Sequence, residues 1–381
     1  MNNLNPLFAL LMILIACLTA YFINLKYKIK YESSRYESVD GLRGFLAISV
    51  FISHASVWYQ YIQEGKWISK SYLYSQLGST SVAFFFMISS FLFISKLLNS
   101  REKEFSWKAF FISRFFRLAP MYYFSVAIIV LFAMGITHWE LKAGLFEFFH
   151  EMFLWATFTV IRGSSINGFD FTYLINAGVA WSLPFEWLFY FSLPIISLLI
   201  LKRKPSVFYV LIGVLFIWGF FYVNGINVQH LLSFVGGALG AVLLKYKPLK
   251  NVENPVFSIL ILICLVLIVQ FEKSTNMPCK ILITIIFIFI SSGNTLFGIL
   301  KTSTLKLLGE ISYSTYLLHG IVLFVVFYFG FGLENAKKLS PSEYCQVVFL
   351  ITPIVVLLSF VGYKCIEKPF MDISKKYFNK N

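Results

Sequence analysis

Residues 254–271 read NPVFSILILICLVLIVQF and contain no charged side chain. A helix needs about 20 mostly apolar residues to cross the roughly 30 Å hydrocarbon core of a bilayer, because it rises 1.5 Å per residue. The chain is therefore predicted to be all-α, a polytopic transmembrane helix bundle with about ten or eleven spans. The other apolar runs lie near 6–24, 39–59, 77–98, 116–137, 181–201, 206–224, 228–244, 280–300, 308–331 and 343–363.

The composition excludes an ordinary soluble protein. Hydrophobic residues make up 58% and charged residues 13% of the chain, and the mean hydropathy is +0.76, whereas a soluble domain carries about 25% charged residues. The net charge of +14 does not indicate nucleic-acid binding, because the basic residues cluster between apolar runs. The five cysteines are scattered and no CxxC pairs with a His cluster, so neither a metal site nor a disulfide framework is predicted.

The basic clusters predict the orientation of the chain. The apolar segment 145–161 carries Glu147, His150 and Glu151, so it either spans the membrane or lies in its interface. All the basic clusters fall on one side only if 145–161 does not cross, which predicts eleven spans with the N-terminus outside and the C-terminus cytoplasmic. The clusters are Lys26, Lys28, Lys30 and Arg35; Lys96, Arg101, Lys103, Lys108 and Arg114; Lys202, Arg203 and Lys204; Lys245, Lys247 and Lys250; Lys301 and Lys306; and the tail from Lys364.

Three segments are expected. Residues 1–34 form an extra transmembrane helix and a basic cytoplasmic linker, 35–370 form one membrane domain, and 371–381 form a short basic tail. The first helix is expected to stay uncleaved, because the residues before it carry no positive charge.

Titratable side chains inside apolar runs are costly in hydrocarbon and are the first candidates for a functional site. Asp40 and Arg43, in DGLRG, open the second run, and His54 follows Asp40 by about 14 residues, roughly 21 Å of helix. A deep His between Ser53 and Ser56 suits general-base catalysis near neutral pH; alternatively, it is hydrogen-bonded to a neighbouring helix.

Two further runs carry charged groups. Arg114 and Arg117 in SRFFRLAP share one helical face and can bind phosphates bidentately, although arginines at a cytoplasmic helix end are also ordinary topology signals. Glu186 in WSLPFE lies at a predicted depth similar to that of His54, and it can hydrogen-bond with Tyr190 at i+4.

A polar stripe is predicted in the tenth run. Ser312, Tyr316 and His319 follow i+3/i+4 spacing and either line a cavity or face a neighbouring helix. Asp40 and Tyr190 are further possible cavity-lining residues. The Glu367-Lys-Pro-Phe sequence after the last span is weak on its own, because a helix stop with interfacial charges also explains it.

In their order and spacing these motifs resemble the acyltransferase-3 family of membrane O-acyltransferases. The resemblance covers about residues 35–370 and rests on RYESVDGLRGFLAISVFISH, FFFMISSFLF, SRFFRL, WSLPFEWLFYFSLP, LGEISYSTYLLHG and the final EKP. It implies transfer of an acyl group, usually acetyl, from a cytoplasmic coenzyme A thioester to a hydroxyl outside or within the membrane. Typical acceptors are sugars of lipopolysaccharide, capsule, exopolysaccharide or peptidoglycan, and the implied location is a bacterial inner membrane.

The resemblance also implies residue roles. By matching positions His54 is the catalytic His, Arg43, Arg114 and Arg117 bind the acetyl-CoA donor, and Glu186 is the family's acidic residue. We expect Glu186 to orient His54. No metal is expected.

The sequence departs from the family pattern in two places. Pro184 stands where the family commonly has another residue, and we expect it to bend or begin its helix. The sequence ends about ten residues after EKP, where some members continue into an SGNH esterase-like domain. Completion of transfer by the membrane domain itself, or by a separate partner, is therefore expected.

The expected partners are membrane lipids, the coenzyme A thioester and a glycan or lipid-linked sugar acceptor. A transporter or flippase for a lipid-linked glycan or small molecule is the alternative, because buried charges on several helices also suit a substrate path. Two features favour the enzyme. No inverted repeat is evident, and the charges fall in two predicted layers, with the arginines cytoplasmic and His54 and Glu186 in the outer half.

Overall fold

The computed structural model describes residues 5–29, 31, 36–100, 105–163, 165–200, 204–226 and 228–379. Within these residues the chain is helical, and its only extended pairing is a single bridge between Ile166 and Phe169. The basic residues Lys30, Arg35, Arg101, Lys103, Lys202 and Arg203 lie outside the described residues.

Sixteen α-helices follow one another along the described residues. They are α1 (Pro6–Tyr27), α2 (Glu37–Glu64), α3 (Tyr72–Asn99), α4 (Trp107–Ile136), α5 (Leu145–Ala156), α6 (Thr172–Ile175), α7 (Leu183–Leu199), α8 (Val207–Asn224), α9 (Val228–Tyr246), α10 (Pro255–Ile268), α11 (Met277–Ser291), α12 (Ser303–Glu310), α13 (Ser312–Phe324), α14 (Leu333–Ala336), α15 (Pro341–Gly362) and α16 (Lys368–Asn379).

Nine helical stretches in the described part of the chain are long and apolar enough to cross a membrane, and α10 and α11 are shorter apolar helices. Each falls on one of the eleven predicted runs. The all-α polytopic membrane fold is therefore confirmed. The nine stretches are Pro6–Tyr27, Glu37–Glu64, Tyr72–Asn99, Trp107–Ile136, Val179–Leu199, Val207–Asn224, Val228–Tyr246, Ser312–Gly330 and Pro341–Tyr377.

The ambiguous segment 145–161 contains only the short helix α5. Its 12 residues extend about 18 Å, well below the roughly 30 Å of a hydrocarbon core. The rings of Phe146 and Phe149 are exposed, whereas Glu151 and Trp155 are buried. This two-sided character fits a helix that lies along an interface, as the basic clusters predict.

Two predicted runs have different boundaries in the structure. The run 280–300 is not one helix: α11 ends at Ser291, and the chain turns at Gly293, whose φ of +117° favours glycine. The run 308–331 is interrupted at Ile311, where α12 ends and α13 begins.

The chain divides into two compact units. Unit 1 comprises Met1–Ser95 and Gln229–Phe360, and unit 2 comprises Lys96–Val228 and Val361–Asn381. His54, Arg43 and His319 belong to unit 1. Arg114, Arg117 and Glu186 belong to unit 2.

Helix α2 is the central element of unit 1, since 83% of its most apolar window is buried. Glycines of the DGLRG and LGE motifs permit this packing. A Cβ atom on Gly41 would lie 1.9 Å from the Leu300 carbonyl oxygen, and one on Gly309 would lie 2.1 Å from the Asp40 carbonyl oxygen. These glycines let backbones approach directly, as small residues do between membrane helices.

In unit 2 the buried side chains of Asn167 and Glu151 form hydrogen bonds with the segment between α4 and α7. The Asn167 side chain donates to the Thr137 hydroxyl at 2.7 Å and accepts from the Lys142 backbone N–H at 2.9 Å. The Glu151 carboxylate accepts from the Asn167 backbone N–H at 2.6 Å and from the Ser165 hydroxyl at 3.0 Å. Glu151 is therefore explained by local structure, because the polar groups of this non-helical segment need buried partners.

Candidate functional site

Unit 1 contains a pair of histidines in van der Waals and hydrogen-bonding contact. Nδ1 of His54 on α2 lies 2.9 Å from Nε2 of His319 on α13, and the two ring planes are inclined by 25° with centroids 5.0 Å apart. His319 is completely buried, whereas His54 is half-buried. His54 is therefore the member of the pair that is open to a ligand.

The hydrogen bonds define which nitrogen of each neutral ring carries a proton. Nδ1 of His319 lies 2.9 Å from the Thr315 carbonyl oxygen, and because a carbonyl only accepts, this nitrogen carries the proton. Nε2 of neutral His319 is then an acceptor, so Nδ1–H of His54 donates to it. Nε2 of His54 retains its lone pair, which is the form a general base requires.

Aromatic side chains surround His54. The indole of Trp67 stacks on the His54 ring at 25° with centroids 6.4 Å apart. Trp67 also packs edge-on against Trp58 and Tyr61. Trp67 lies in the connection between α2 and α3.

The predicted polar stripe faces neighbouring helices rather than an open cavity. Ser312, Tyr316 and His319 are all buried, and the Tyr316 ring packs against Phe85. Of the two readings left open by the sequence, the structure favours helix packing. His319 also forms the hydrogen bond that orients His54. The sequence predicts that Glu186 orients His54.

Unit 2 contains a second polar cluster, formed by Glu186, Tyr190 and Arg114. The buried Tyr190 hydroxyl donates to the Glu186 carboxylate, which confirms the predicted i, i+4 contact. The Arg114 guanidinium on α4 is hydrogen-bonded to Tyr190 and interacts electrostatically with Glu186. The two predicted charge layers are therefore wrong for this pair, because Glu186 and Arg114 share one cluster.

Glu186 lies in the first turn of α7, and this position brings its carboxylate into the cluster. Pro184 lies in the first two positions of α7, where its missing N–H leaves no intrahelical hydrogen bond unmade. Of the two expected roles for Pro184, the structure therefore shows that it begins the helix.

Arg117 lies close enough to Arg114 and Tyr190 to interact with them electrostatically, and it contacts the carboxylate of the EKP motif. Its Nη2 is 3.2 Å from Oε1 of the fully buried Glu367, and its Nη1 is 2.9 Å from the Met371 sulfur. Glu367 thus neutralises Arg117, a structural role that the motif alone did not reveal.

We predict that Glu367→Ala destabilises the protein by about 3–5 kcal/mol, because it leaves the Arg117 charge without its carboxylate. Thermal unfolding of the purified full chain measures the effect. Lys375→Ala is the matched control, since its contact with Asp372 is long and exposed and contributes about 0–1 kcal/mol. Equal unfolding midpoints for Glu367→Ala and Lys375→Ala would contradict the assignment.

No group of three or more His, Cys, Asp or Glu side chains able to hold a metal ion occurs in the described ranges. The predicted site residues form two polar clusters, the histidine pair of unit 1 and the Arg–Tyr–Glu cluster of unit 2.

The fold and these two clusters define a polytopic membrane protein with titratable groups buried inside its helices. The chain belongs to the acyltransferase-3 family, whose acyltransferase-domain model matches residues 36–362.

One curated relative is nodulation protein 10 of Rhizobium leguminosarum bv. viciae. It is 27% identical over 176 residues, which are 44% of this chain and 46% of that protein. The similarity therefore spans about half the length of that relative. No solved structure matches the chain.

Proposed function

We propose that the chain is a membrane O-acetyltransferase that moves acetyl from cytoplasmic acetyl-CoA to a hydroxyl of a cell-surface or lipid-linked sugar. The observation that carries this proposal is the histidine pair. Its hydrogen bonds leave Nε2 of the half-buried His54 ready to accept a proton. Family membership supports acyl transfer as the reaction class.

The chemistry follows from the state of His54. Nε2 of His54 removes the proton of the acceptor hydroxyl while its oxygen attacks the thioester carbonyl. A C–O bond forms, the C–S bond breaks, and the proton then passes from His54 to the thiolate, which leaves as coenzyme A. Positioned general-base catalysis of this kind typically contributes about 10²–10⁴-fold to a rate.

His319 acts through His54 as a positioning residue. It fixes the Nδ1–H tautomer, and it continues to accept that hydrogen bond when His54 becomes imidazolium. An orienting group of this kind is what the acid supplies in a hydrolase triad. The Glu186 carboxylate is instead assigned to Tyr190 and Arg114.

The donor side of the proposal rests on arginines. Arg43, Arg114 and Arg117 match the family's donor-binding positions, and guanidinium groups recognise phosphates bidentately. Arg117 is paired with Glu367 and Arg114 with Tyr190 and Glu186, so the test of Arg114 needs a control on the same helix. The basic clusters predict that these arginines lie on the cytoplasmic side of the membrane, where acetyl-CoA is available.

We expect Arg114→Ala to weaken coenzyme A binding by about tenfold, because one charge-assisted phosphate contact is lost. Lys108→Ala removes one positive charge from an exposed position of the same helix and is expected to change binding by less than about twofold. Calorimetric titration of both purified variants with coenzyme A makes the comparison. If Arg114→Ala binds coenzyme A as tightly as wild type, Arg114 does not bind the donor, and its role is limited to its contacts with Tyr190 and Glu186.

Incubation of the purified full chain with labelled acetyl-CoA tests the proposed function. An acetyltransferase consumes acetyl-CoA and moves the label to an acceptor glycan or to water. The alternative, a transporter or flippase, leaves acetyl-CoA intact. Mass spectrometry of surface glycans from cells with and without the gene then identifies the acceptor.

A further inference from the structure

A buried lysine in unit 1 takes no part in the chemistry above. Lys280 on α11 is 5% exposed, and its Nζ lies 2.6 Å from the hydroxyl oxygen of Ser233 on α9, which is completely buried. Among the described residues, no carboxylate lies within 4.0 Å of the Lys280 amine. A charge inside an apolar helix is costly without an anionic partner, and such residues usually mark functional sites.

Lys280 lies close to the N-termini of two helices. Lys280 lies within the first turn or so of α11, which begins at Met277, and His230 lies in the first turn of α9. Helix N-termini carry partial positive charge, so a cation there is unfavourable, whereas an anion is stabilised. His230 is also close enough to Lys280 to interact electrostatically with it.

The missing component of this cluster is an anion. Ser233 offers one neutral oxygen, whereas an ammonium group has three donors. A phosphate group would accept from Lys280 and would be stabilised by the N-termini of two adjacent helices. The Lys280 amine and the N-termini of α9 and α11 therefore all favour a negatively charged ligand.

The residues beside Lys280 indicate where the rest of that ligand lies. Met277 and Ile281 are 52% and 55% exposed, and in an apolar helix such side chains face lipid. The Lys280 amine is on a flexible four-carbon stem that can turn towards the nearby helix end. A ligand with a phosphate head and an apolar tail fits this arrangement.

We propose that Lys280, with His230 and Ser233, binds the phosphate group of a membrane-embedded amphiphile. The basic clusters predict that α9 and α11 begin on the extracytoplasmic side, where a lipid-linked acceptor would approach. Assigning the phosphate to the acceptor rests on the proposed function. A phospholipid headgroup is the other source of the same chemistry.

The test measures binding of farnesyl phosphate and farnesol to the purified full chain by native mass spectrometry. Wild type is expected to bind farnesyl phosphate at least about tenfold more tightly than farnesol, because only the phosphate pairs with the ammonium. Lys280→Met is expected to lose that difference, and Lys280→Arg is expected to retain it. Lys250→Met removes a positive charge at an exposed position outside this cluster and is the control that keeps full binding.

Competition with phosphatidylglycerol distinguishes the two sources. If phosphatidylglycerol displaces farnesyl phosphate at equal concentration, the site binds a lipid headgroup. If it does not, the site binds a polyprenyl phosphate. Both outcomes support an anion-binding site. Equal binding of farnesyl phosphate by Lys280→Met and wild type would overturn the proposal. If Lys280→Met does not fold, equal binding of farnesol and farnesyl phosphate by wild type overturns it.

The outcome is separable from that of the proposed function. Binding of farnesyl phosphate is measured without acetyl-CoA, so its result does not depend on the His54 chemistry. Conversely, an inactive His54→Ala variant that still binds farnesyl phosphate supports both assignments.

Discussion

Replacing His54 with Ala is expected to lower acetyl transfer by about 10²–10⁴-fold, because it removes the only proposed proton acceptor for the acceptor hydroxyl. Nε2 of His54 carries the lone pair in the tautomer that His319 and Thr315 impose. Ala keeps the helix propensity of α2, so the loss should be chemical rather than structural. The measurement is the acetyl content of surface glycans in cells that express wild type or variant at equal levels.

Two observations make this experiment decisive. The unfolding midpoint of purified His54→Ala should stay close to that of wild type, and its coenzyme A binding should be unchanged, because the donor arginines are intact. Normal glycan acetylation by a well-folded His54→Ala protein would exclude His54 as the base.

Replacing His319 with Leu is expected to lower transfer by about 10–100-fold, because His54 loses the acceptor that fixes its Nδ1–H tautomer. His319 does not itself take the substrate proton, so the loss should be smaller than for His54→Ala. Transfer should fall mainly in kcat, since no contact with donor or acceptor is removed.

The conservative variant His319→Gln separates positioning from simple packing. A Gln carbonyl oxygen can accept from Nδ1–H of His54, whereas Leu cannot, so Gln should recover a substantial part of the rate. Equal rates for the Gln and Leu variants would contradict a positioning role, and the contact would then contribute only to packing in unit 1.

Much of the fold follows directly from the apolar runs, because hydrocarbon demands about 20 apolar residues per span. The short α5 was also foreseeable, since crossing at 145–161 would place basic clusters on both sides. Boundaries were less predictable. Gly293 turns the chain after α11 through a backbone conformation that hydropathy does not register, and the break between α12 and α13 at Ile311 falls within a predicted apolar run.

The candidate site was only partly predictable, because its key contacts join distant parts of the chain. Local spacing correctly paired Glu186 with Tyr190. The contact between His54 and His319 joins residues 265 positions apart, and a single sequence carries no signal of that distance. Both histidines stood out as titratable groups within apolar runs, but sequence reasoning gave His319 only a cavity-lining role.

Charge partners were the least predictable feature. The sequence predicts Arg117 as a donor-binding residue and leaves Glu367 as a helix-stop signal, yet the two form one ion pair in unit 2. Lys280 escaped notice because it stands at the start of an apolar run, where a basic residue resembles a flanking signal. Its burial beside Ser233 appears only when α9 and α11 are packed.

The most direct test of the account is the rate at which purified wild type and His54→Ala, each in proteoliposomes, consume labelled acetyl-CoA. The account predicts steady consumption by wild type and a rate at least about 100-fold lower for the variant. Equal rates for the two proteins, or no consumption of acetyl-CoA by well-folded wild type supplied with acceptor glycan, would contradict it.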